Sequence, residues 1–389
     1  MTEPEKRDKF PKSLAIVTAF YPPAIGGVER YSQEFARTAK ALGLSVNVIT
    51  TTSRSRAETA VEDDGINVLR LPARYVPVSG SYFPIPYSGA KEMSEFLDCD
   101  VVMAQTRFFL TTLMAAGIAF AQRRRISIVD HGAGPLRPQP WFLAPAMAYE
   151  HAVTAVLRCF SPRFFAVSEA SSRWLQHFGI PSAPVISNGI SESSTMPVRS
   201  RGGFEHPVIF FAGRLLREKG VFELVDAVEY LTREGFDLQL RVGGEGPLSK
   251  ALEEHSRNSR SLTYLGRLGP EDVANELQRA TIFVNPSNLP EGMPTILLEA
   301  GRAALPVIST LVGGSAELIE DGRTGWSIER GAAALIAAAL QSVVMDPDEA
   351  IRRGAALFRL VNSQFTWPAI VQRFLRYCEA EYEVPRVSV

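Results

Sequence analysis

Short apolar runs alternate with helix-patterned stretches along almost the whole chain, and this alternation restricts the fold more than any other feature. LAIVTAF (14–20) reads as a buried strand, and the loop YPPAIGG follows it. Val28, Tyr31, Phe35, Ala39 and Leu42 then recur at three- and four-residue spacing, with Gly43 placed to stop the helix they define. SVNVIT, INVLRL, a helix near 88–97, DVVMAQ, a helix near 110–121, ISIVD, a helix near 141–158, FFAVS, a helix through SSRWLQHF, and PVIS continue the series. Strand and helix taking turns predict an open parallel sheet covered on both faces, with ligands at the carboxyl ends of the strands.

The series then stops and restarts. SESSTMPVRSRGGFEHP has neither helical nor alternating period and reads as an interdomain linker. Beyond it VIFFAG, LQLRVGG, LTYLG, TIFVNPS, PVIST and GWSI form a second set of strands, followed by helices near 347–361 and 367–383. With 389 residues, more than one core usually serves, the chain is read as two Rossmann-like α/β domains, 1–195 and 206–366.

Composition excludes several function classes. Hydrophobic residues make up 46% and charged residues 21%, ordinary for a soluble globular chain. A formal net charge of -1 argues against a general nucleic-acid binder. Cys99, Cys159 and Cys378 are odd in number and far apart, which suits neither a disulfide framework nor a CxxC metal site and predicts a reducing cytoplasm. The charged opening MTEPEKRDKF has no signal-peptide core, and FFLTTLMAAGIAFA is too short and too punctuated to cross a bilayer.

Chemistry gathers at predicted strand ends. In GRLLREKG (213–220), Arg214 and Lys219 flank a loop that enters a helix, so two cations, backbone N–H groups and the helix dipole could all favour a phosphate. GGEGP places Gly244, and IGG places Gly26 and Gly27, where backbone can approach a ligand closely. None of these is a GxGxxG fingerprint, so a nicotinamide cofactor has little support. In EGMPTILLE (291–299), Gly292 permits close approach, Pro294 suits the first turn of a helix, and the N–H groups of Thr295 and Ile296 are free to meet phosphate. Glu291 reads either as a ligand-facing carboxylate or as a loop charge; Glu299, set in the apolar turn LLEAG, needs a hydrogen-bonding partner such as a hydroxyl.

His131 in DHGAG follows the strand ISIVD, and a functional and a structural role stand side by side for it. Asp98-Cys99-Asp100 has the look of a metal-binding carboxylate pair, but it precedes a strand and so lies at the wrong end of a parallel sheet for a ligand. No metal site, no bound cofactor and no side-chain nucleophile are expected.

Taken in order, PPAIGGVERY, DHGAG, ISNGI, GRLLREKG, GGEGP, LGRL, EGMPTILLE and LPVISTLVGGSAELI resemble the retaining glycosyltransferases of family 4, across nearly the whole chain. The resemblance implies the GT-B fold, two Rossmann-like domains facing each other across a cleft, with 367–389 able to pack back on the first. It implies a metal-independent hexosyltransferase taking a UDP- or GDP-sugar. Arg214 and Lys219 would hold the diphosphate, Glu291 would face the sugar, and Glu299 would hold the ribose hydroxyls. Backbone from Met293 to Ile296 would contact sugar and phosphate, Leu268 in LGRL would mark the base, Gly26 and Gly27 would approach phosphates or acceptor, and His131 would lie near the sugar's C6 side. Pro294 stands where many relatives have glycine, so no hydrogen bond to the sugar is assigned to it. A sugar-nucleotide epimerase or hydrolase, and a silent binding subunit, are the competing readings.

The acceptor leaves a fainter trace. RPQPWFLAPAMAYEHAV (137–153), Gln122–Arg125 and SYFPIPY (81–87) offer aromatic and basic residues, consistent with a glycan or lipid-linked acceptor and peripheral contact at the inner face of a membrane, or with ordinary core and loop. Cell-envelope polysaccharide or glycolipid synthesis is the expected setting.

Overall fold

The computed structural model describes residues 11–62, 64–78, 81–135 and 143–379. They form two compact units. One holds the described residues up to Asn188 together with Trp367–Glu379, and the other is Gly189–Thr366.

In the first unit β1 (Ser13–Val17), α1 (Gly27–Ala41), β2 (Ser45–Thr52), β3 (Glu58–Val61), β4 (Asn67–Val78), β5 (Ser81–Pro86), α2 (Ala90–Phe96), β6 (Val101–Gln105), α3 (Leu110–Ala121), β7 (Ile126–Asp130), α4 (Leu143–Cys159), β8 (Arg163–Ala166) and α5 (Glu169–Gln176) follow one another. The parallel strands lie in the order β4-β2-β1-β6-β7-β8. Every residue of β6 and β7 is buried, as expected for strands covered on both faces.

Two features depart from the purely parallel expectation. INVLRL is only the start of a twelve-residue strand, and its second half pairs antiparallel with β5, so SYFPIPY is largely a hairpin strand. Strand β3 adds a second antiparallel edge on β4. PVIS contributes one isolated bridge, Ala166 to Val185, rather than a strand. A hairpin can be joined by a tight turn that carries no helix period, which explains why the βα pattern hid it.

The second unit runs β9 (Val208–Ala212), α6 (Val221–Arg233), β10 (Gln239–Gly243), α7 (Ser249–Asn258), β11 (Leu262–Gly266), α8 (Pro270–Arg279), β12 (Ile282–Asn285), α9 (Thr295–Arg302), β13 (Val307–Thr310), β14 (Trp326–Ile328), α10 (Ala333–Met345) and α11 (Pro347–Gln364). Its sheet is parallel throughout, in the order β11-β10-β9-β12-β13-β14. Chain order across it is therefore 3-2-1-4-5-6, the dinucleotide-fold order, with its reversal between β9 and β12. Helix α6 buries Val221, Leu224, Val225, Val228 and Leu231 against the sheet, each worth about 1.5–3 kcal/mol of transfer free energy.

Helix α12 (Trp367–Glu379) packs on α1 of the first unit, where Phe374 meets Phe35 edge-on at 5.5 Å between centroids. No described helix is long and apolar enough to cross a membrane.

The polar stretch before β9, expected as a linker, lies with the second unit. Its Arg199 donates to the carbonyls of Leu277, Gln278 and Ala280 at the end of α8 and of Ala303 at the end of α9. One guanidinium thus satisfies the orphan carbonyls of two helix C-termini and complements both dipoles. Arg199→Ala should lower the stability of the second unit by about 2 kcal/mol, and Arg199→Lys, lacking the planar fork, should recover only part of it. The midpoint of the second-unit transition in urea reads both.

Candidate active site

The reversal between β9 and β12 puts two loops side by side at the carboxyl ends of those strands. After β9 the chain passes Gly213 and the exposed Arg214, makes one 3-10 turn at Arg217–Lys219 and enters α6 through Gly220. After β12 it passes Asn285-Pro286-Ser287 and reaches Glu291 before α9. The loops are joined by main chain, Asn288 N–H donating to Glu218 O at 2.7 Å. They are joined again by charge: Lys219 Nζ lies 2.6 Å from Glu291 Oε1, with the lysine side chain 11% exposed and the glutamate 37%.

Such an approach requires missing Cβ atoms. Gly220 has φ +71, and a Cβ there would lie 2.5 Å from Pro286 O; Gly244 has φ +133, and its Cβ would fall 1.9 Å from Gly213 O. Gly313, φ +64, would strike Glu291 O, and the neighbouring Gly314 N–H donates to that oxygen at 3.1 Å. Glycine is the residue that reaches these left-handed conformations without strain. The GGEGP and LVGGSAELI stretches are therefore buttresses that fix the backbone on which Arg214 and Glu291 sit.

The other predicted residues take these places. Pro294 is the residue before the first turn of α9, so the N–H groups of Thr295 and Ile296 open that helix, and Leu297 N–H turns back to Pro294 O. Gly292 is partly buried and Met293 fully so. Glu299 lies one helical turn into α9, partly buried. Leu268, after β11, packs on Gly243, where a Cβ would meet its Cδ1 at 2.4 Å. The second unit thus brings Arg214, Lys219, Glu291 and the start of α9 to one sheet end.

In the first unit Gly26 and Gly27 are exposed at the start of α1. His131 follows β7, partly buried, its Nε2 2.7 Å from Gln105 Oε1 and its ring edge-on to Tyr31 at 4.8 Å. Burial pushes its pKa down to about 4, against the pull of the adjacent Asp130 carboxylate. Beneath it Arg107 is wholly buried, donating to Asp130 Oδ2 at 2.8 Å and to Glu150 Oε2, with its guanidinium 3.9 Å above the Phe178 ring. This triad escaped sequence reading because Arg107, Asp130 and Glu150 come from three separated elements; Asp130 lay inside DHGAG and Glu150 inside the 137–153 stretch, but nothing linked them to Arg107.

Other expectations fall elsewhere. Asp98 pairs with Arg124, and Asp100 accepts from the backbone of Lys12 and Ser13, so the DCD stretch ties the amino ends of β1 and β6. Gln122 and Arg124 also serve that opposite end, Gln122 bonding Ser94 and Arg124 the Cys99 carbonyl. Of the aromatic stretch 137–153, residues 137–142 lie outside the described residues, and the remainder is α4.

Two family models match the chain: Glycosyltransferase Family 4 over 25–194 and Glycosyl transferases group 1 over 206–346. Together they leave only 195–205 uncovered between 25 and 346. The chain belongs to family 4 of the glycosyltransferases. Among its relatives, a glycogen synthase of Mycobacterium tuberculosis is 29% identical over 262 residues, 65% of this chain and 63% of that protein, so just under two thirds of that relative is spanned. A GDP-mannose-dependent monoacylated alpha-(1-6)-phosphatidylinositol monomannoside mannosyltransferase of Corynebacterium glutamicum is 24% identical over 95% of this chain and 98% of its own. Of solved structures, Anabaena HepE in complex with UDP and glucose superposes with a TM-score of 0.72 at 18% identity, covering 95% of this chain and 100% of that one. That likeness carries the fold, which is GT-B as expected.

The low pKa of the family 4 chain's His131 has a consequence for its stability. An unfolded histidine takes its proton near 6.5, the folded one only near 4, so between these values the unfolded chain binds more protons. The contribution is whole above about pH 6.5 and is lost as pH falls towards 4. Unfolding midpoints measured from pH 7 down to about 4 should fall less steeply in His131→Gln than in the parent.

Proposed function

We propose that the chain is a retaining glycosyltransferase moving a hexose-type sugar from a UDP- or GDP-linked donor to a hydroxyl of a glycan or lipid-linked acceptor in cell-envelope polysaccharide or glycolipid synthesis. The observation that carries this reading is the Lys219–Glu291 pair at the strand reversal, beside Arg214 and the opening of α9. A diphosphate needs fixed positive charge, and two cations with a helix N-terminus supply it without rearrangement. A sugar needs acceptors for its hydroxyls, and the carboxylate held against Lys219 is one. The GDP-mannose named for the Corynebacterium relative and the UDP and glucose of the HepE complex support the donor class, and the phosphatidylinositol mannoside named for that relative supports a lipid-linked acceptor.

In the proposed reaction the bond between the anomeric carbon and the diphosphate oxygen breaks, and the electron pair leaves with the diphosphate. Lys219, Arg214 and the N–H groups of Thr295 and Ile296 stabilise the charge that develops there. A diphosphate oxygen takes the proton of the incoming hydroxyl, whose oxygen bonds to the anomeric carbon on the same face. Glu291 orients the sugar, Glu299 holds the ribose hydroxyls, and main chain near Gly244, Leu268, Gly292 and Met293 borders base and phosphate. Gly26, Gly27 and His131 are assigned to substrate contact on the first unit.

Calorimetry with UDP, GDP, UDP-glucose and GDP-mannose tests the site. Lys219→Ala should weaken nucleoside-diphosphate binding by about 100-fold, the loss of a charge-assisted contact of 1.5–3 kcal/mol together with an unpaired Glu291. Asp98→Ala should leave it unchanged. Equal binding by Lys219→Ala and the parent removes the diphosphate assignment, and turnover of the sugar nucleotide without any acceptor points to an epimerase or hydrolase.

The β4–β5 hairpin exposes Val76 and Ile85 beside the exposed Arg74 on one face and Tyr82 on the other, with the exposed Tyr87 just past β5, apolar and aromatic side chains suited to the bilayer interface from which a lipid-linked acceptor would come. The chain should sediment with anionic vesicles at low salt, and Tyr82→Ser with Tyr87→Ser should reduce the bound fraction. A chain that stays wholly in the supernatant rules out this contact.

A further inference from the structure

The carboxyl ends of β6 and β7 hold an arrangement that the transfer chemistry leaves unexplained. Thr106, between Gln105 and Arg107, adopts φ +66, a left-handed conformation that a β-branched residue takes only against a cost. Its N–H donates to Val129 O at 2.8 Å and its carbonyl accepts from Thr112 Oγ1 at 2.9 Å, so the turn is held on both sides. The turn lets residues on either side of it serve two successive residues at the carboxyl end of β7. Arg107 grips Asp130, and Gln105 meets His131, the next residue along.

Gln105 is fully buried, and its amide is oriented by its own contacts. The Nε2 group lies 3.1 Å from Met103 Sδ, a weak acceptor with no proton to give, which leaves Oε1 towards His131 Nε2 at 2.7 Å. An amide oxygen can only accept, so the imidazole must donate from Nε2. In a neutral ring Nδ1 is then an unprotonated acceptor, and it makes no hydrogen bond among the described residues. Asp130 Oδ1 accepts from Gly132 N–H at 3.1 Å, turning the chain away directly after the ring.

We infer that Gln105 is a positioning residue that holds His131 as the neutral Nε2–H tautomer, so that Nδ1 serves as a hydrogen-bond acceptor for a sugar hydroxyl. This rests on the transferase reading for its substrate class but not for its tautomer. The ring acts as a polar receptor rather than as an acid. Its surroundings keep it so: Asp130 is engaged by Arg107, Glu150 of α4 is engaged by the same guanidinium, and Tyr31 of α1 donates its hydroxyl to Ile186 O at 3.3 Å. Burial, which disfavours the imidazolium, works in the same direction.

Nitrogen chemical shifts of histidine-labelled full-length protein read the tautomer directly. His131 should show a protonated Nε2 and a bare Nδ1 without change from pH 8 to about 6. Gln105→Leu should lose this preference, and Gln105→Glu should keep it at pH 8 yet take up a proton on the ring at higher pH than the parent. In calorimetry, Gln105→Leu should bind whichever of UDP-glucose and GDP-mannose the parent accepts about tenfold more weakly, with affinity for UDP or GDP unchanged, if the hydroxyl belongs to the donor sugar. If it belongs to the acceptor, donor affinity stays and the acceptor KM rises by a similar factor. A bare Nε2 in the parent, or a Gln105→Leu protein with the parent's shifts and affinities, overturns the inference. Failure of the parent to bind any nucleotide sinks the transferase reading and leaves the tautomer measurement standing.

Discussion

Backbone meeting backbone without an intervening Cβ is the constraint on which the second unit's strand-end site depends. Gly220 against Pro286, Gly244 against Gly213 and Gly313 against Glu291 each bring main chain closer than any side chain would allow. Lys219 is buried because the turn before Gly220 tucks under the loop after β12, and it meets Glu291 because Gly313 and Gly314 hold that residue from the other side. Charge alone would not produce this pair. Two exposed ions at a surface are worth little, whereas here the framework has already met the cost of ordering them.

The first unit solves the same positional problem by other means. Its sheet carries the same order around β1 and β6, yet the loops after β6 and β7 are fixed by a buried guanidinium between two carboxylates rather than by glycine contacts. A buried ion group of this kind adds little net stability compared with apolar packing, but loss of one member strands a charge. Its contribution is geometric: Asp130 ends β7 and binds the N–H two residues on, so the ring of His131 is presented at a fixed place. Under the proposed function, the second unit would hold the donor's anionic charge and the first would meet hydroxyls.

Much of this was legible in the sequence, and the exceptions follow from physics. Strand ends and helix starts of the second unit could be read because a parallel α/β sheet writes apolar runs and loop motifs in strict alternation, and GRLLREKG and EGMPTILLE fell at the ends of β9 and β12. The β4–β5 hairpin could not, since Pro77, Pro84 and Pro86 argue against strand and its two-residue periodicity is weak. The Arg107 triad was invisible for a different reason: an arginine after a strand is ordinarily solvated, and nothing local announces that partners 23 and 43 residues away will enclose it.

His131 shows why position and role separate. DHGAG marked the loop, but whether its imidazole would be donor, acceptor or acid depends on the atom facing Nε2, and that atom belongs to Gln105, the last residue of β6. In the sequence Gln105 is only the polar end of DVVMAQ. In the folded chain, strand adjacency between β6 and β7 puts its amide oxygen against the ring, and the strained turn at Thr106 frees Arg107 to hold the carboxylate beneath. The chemistry of the ring is therefore set by sheet order, since a register in which β6 did not neighbour β7 would leave the same motif with an imidazole of undefined tautomer.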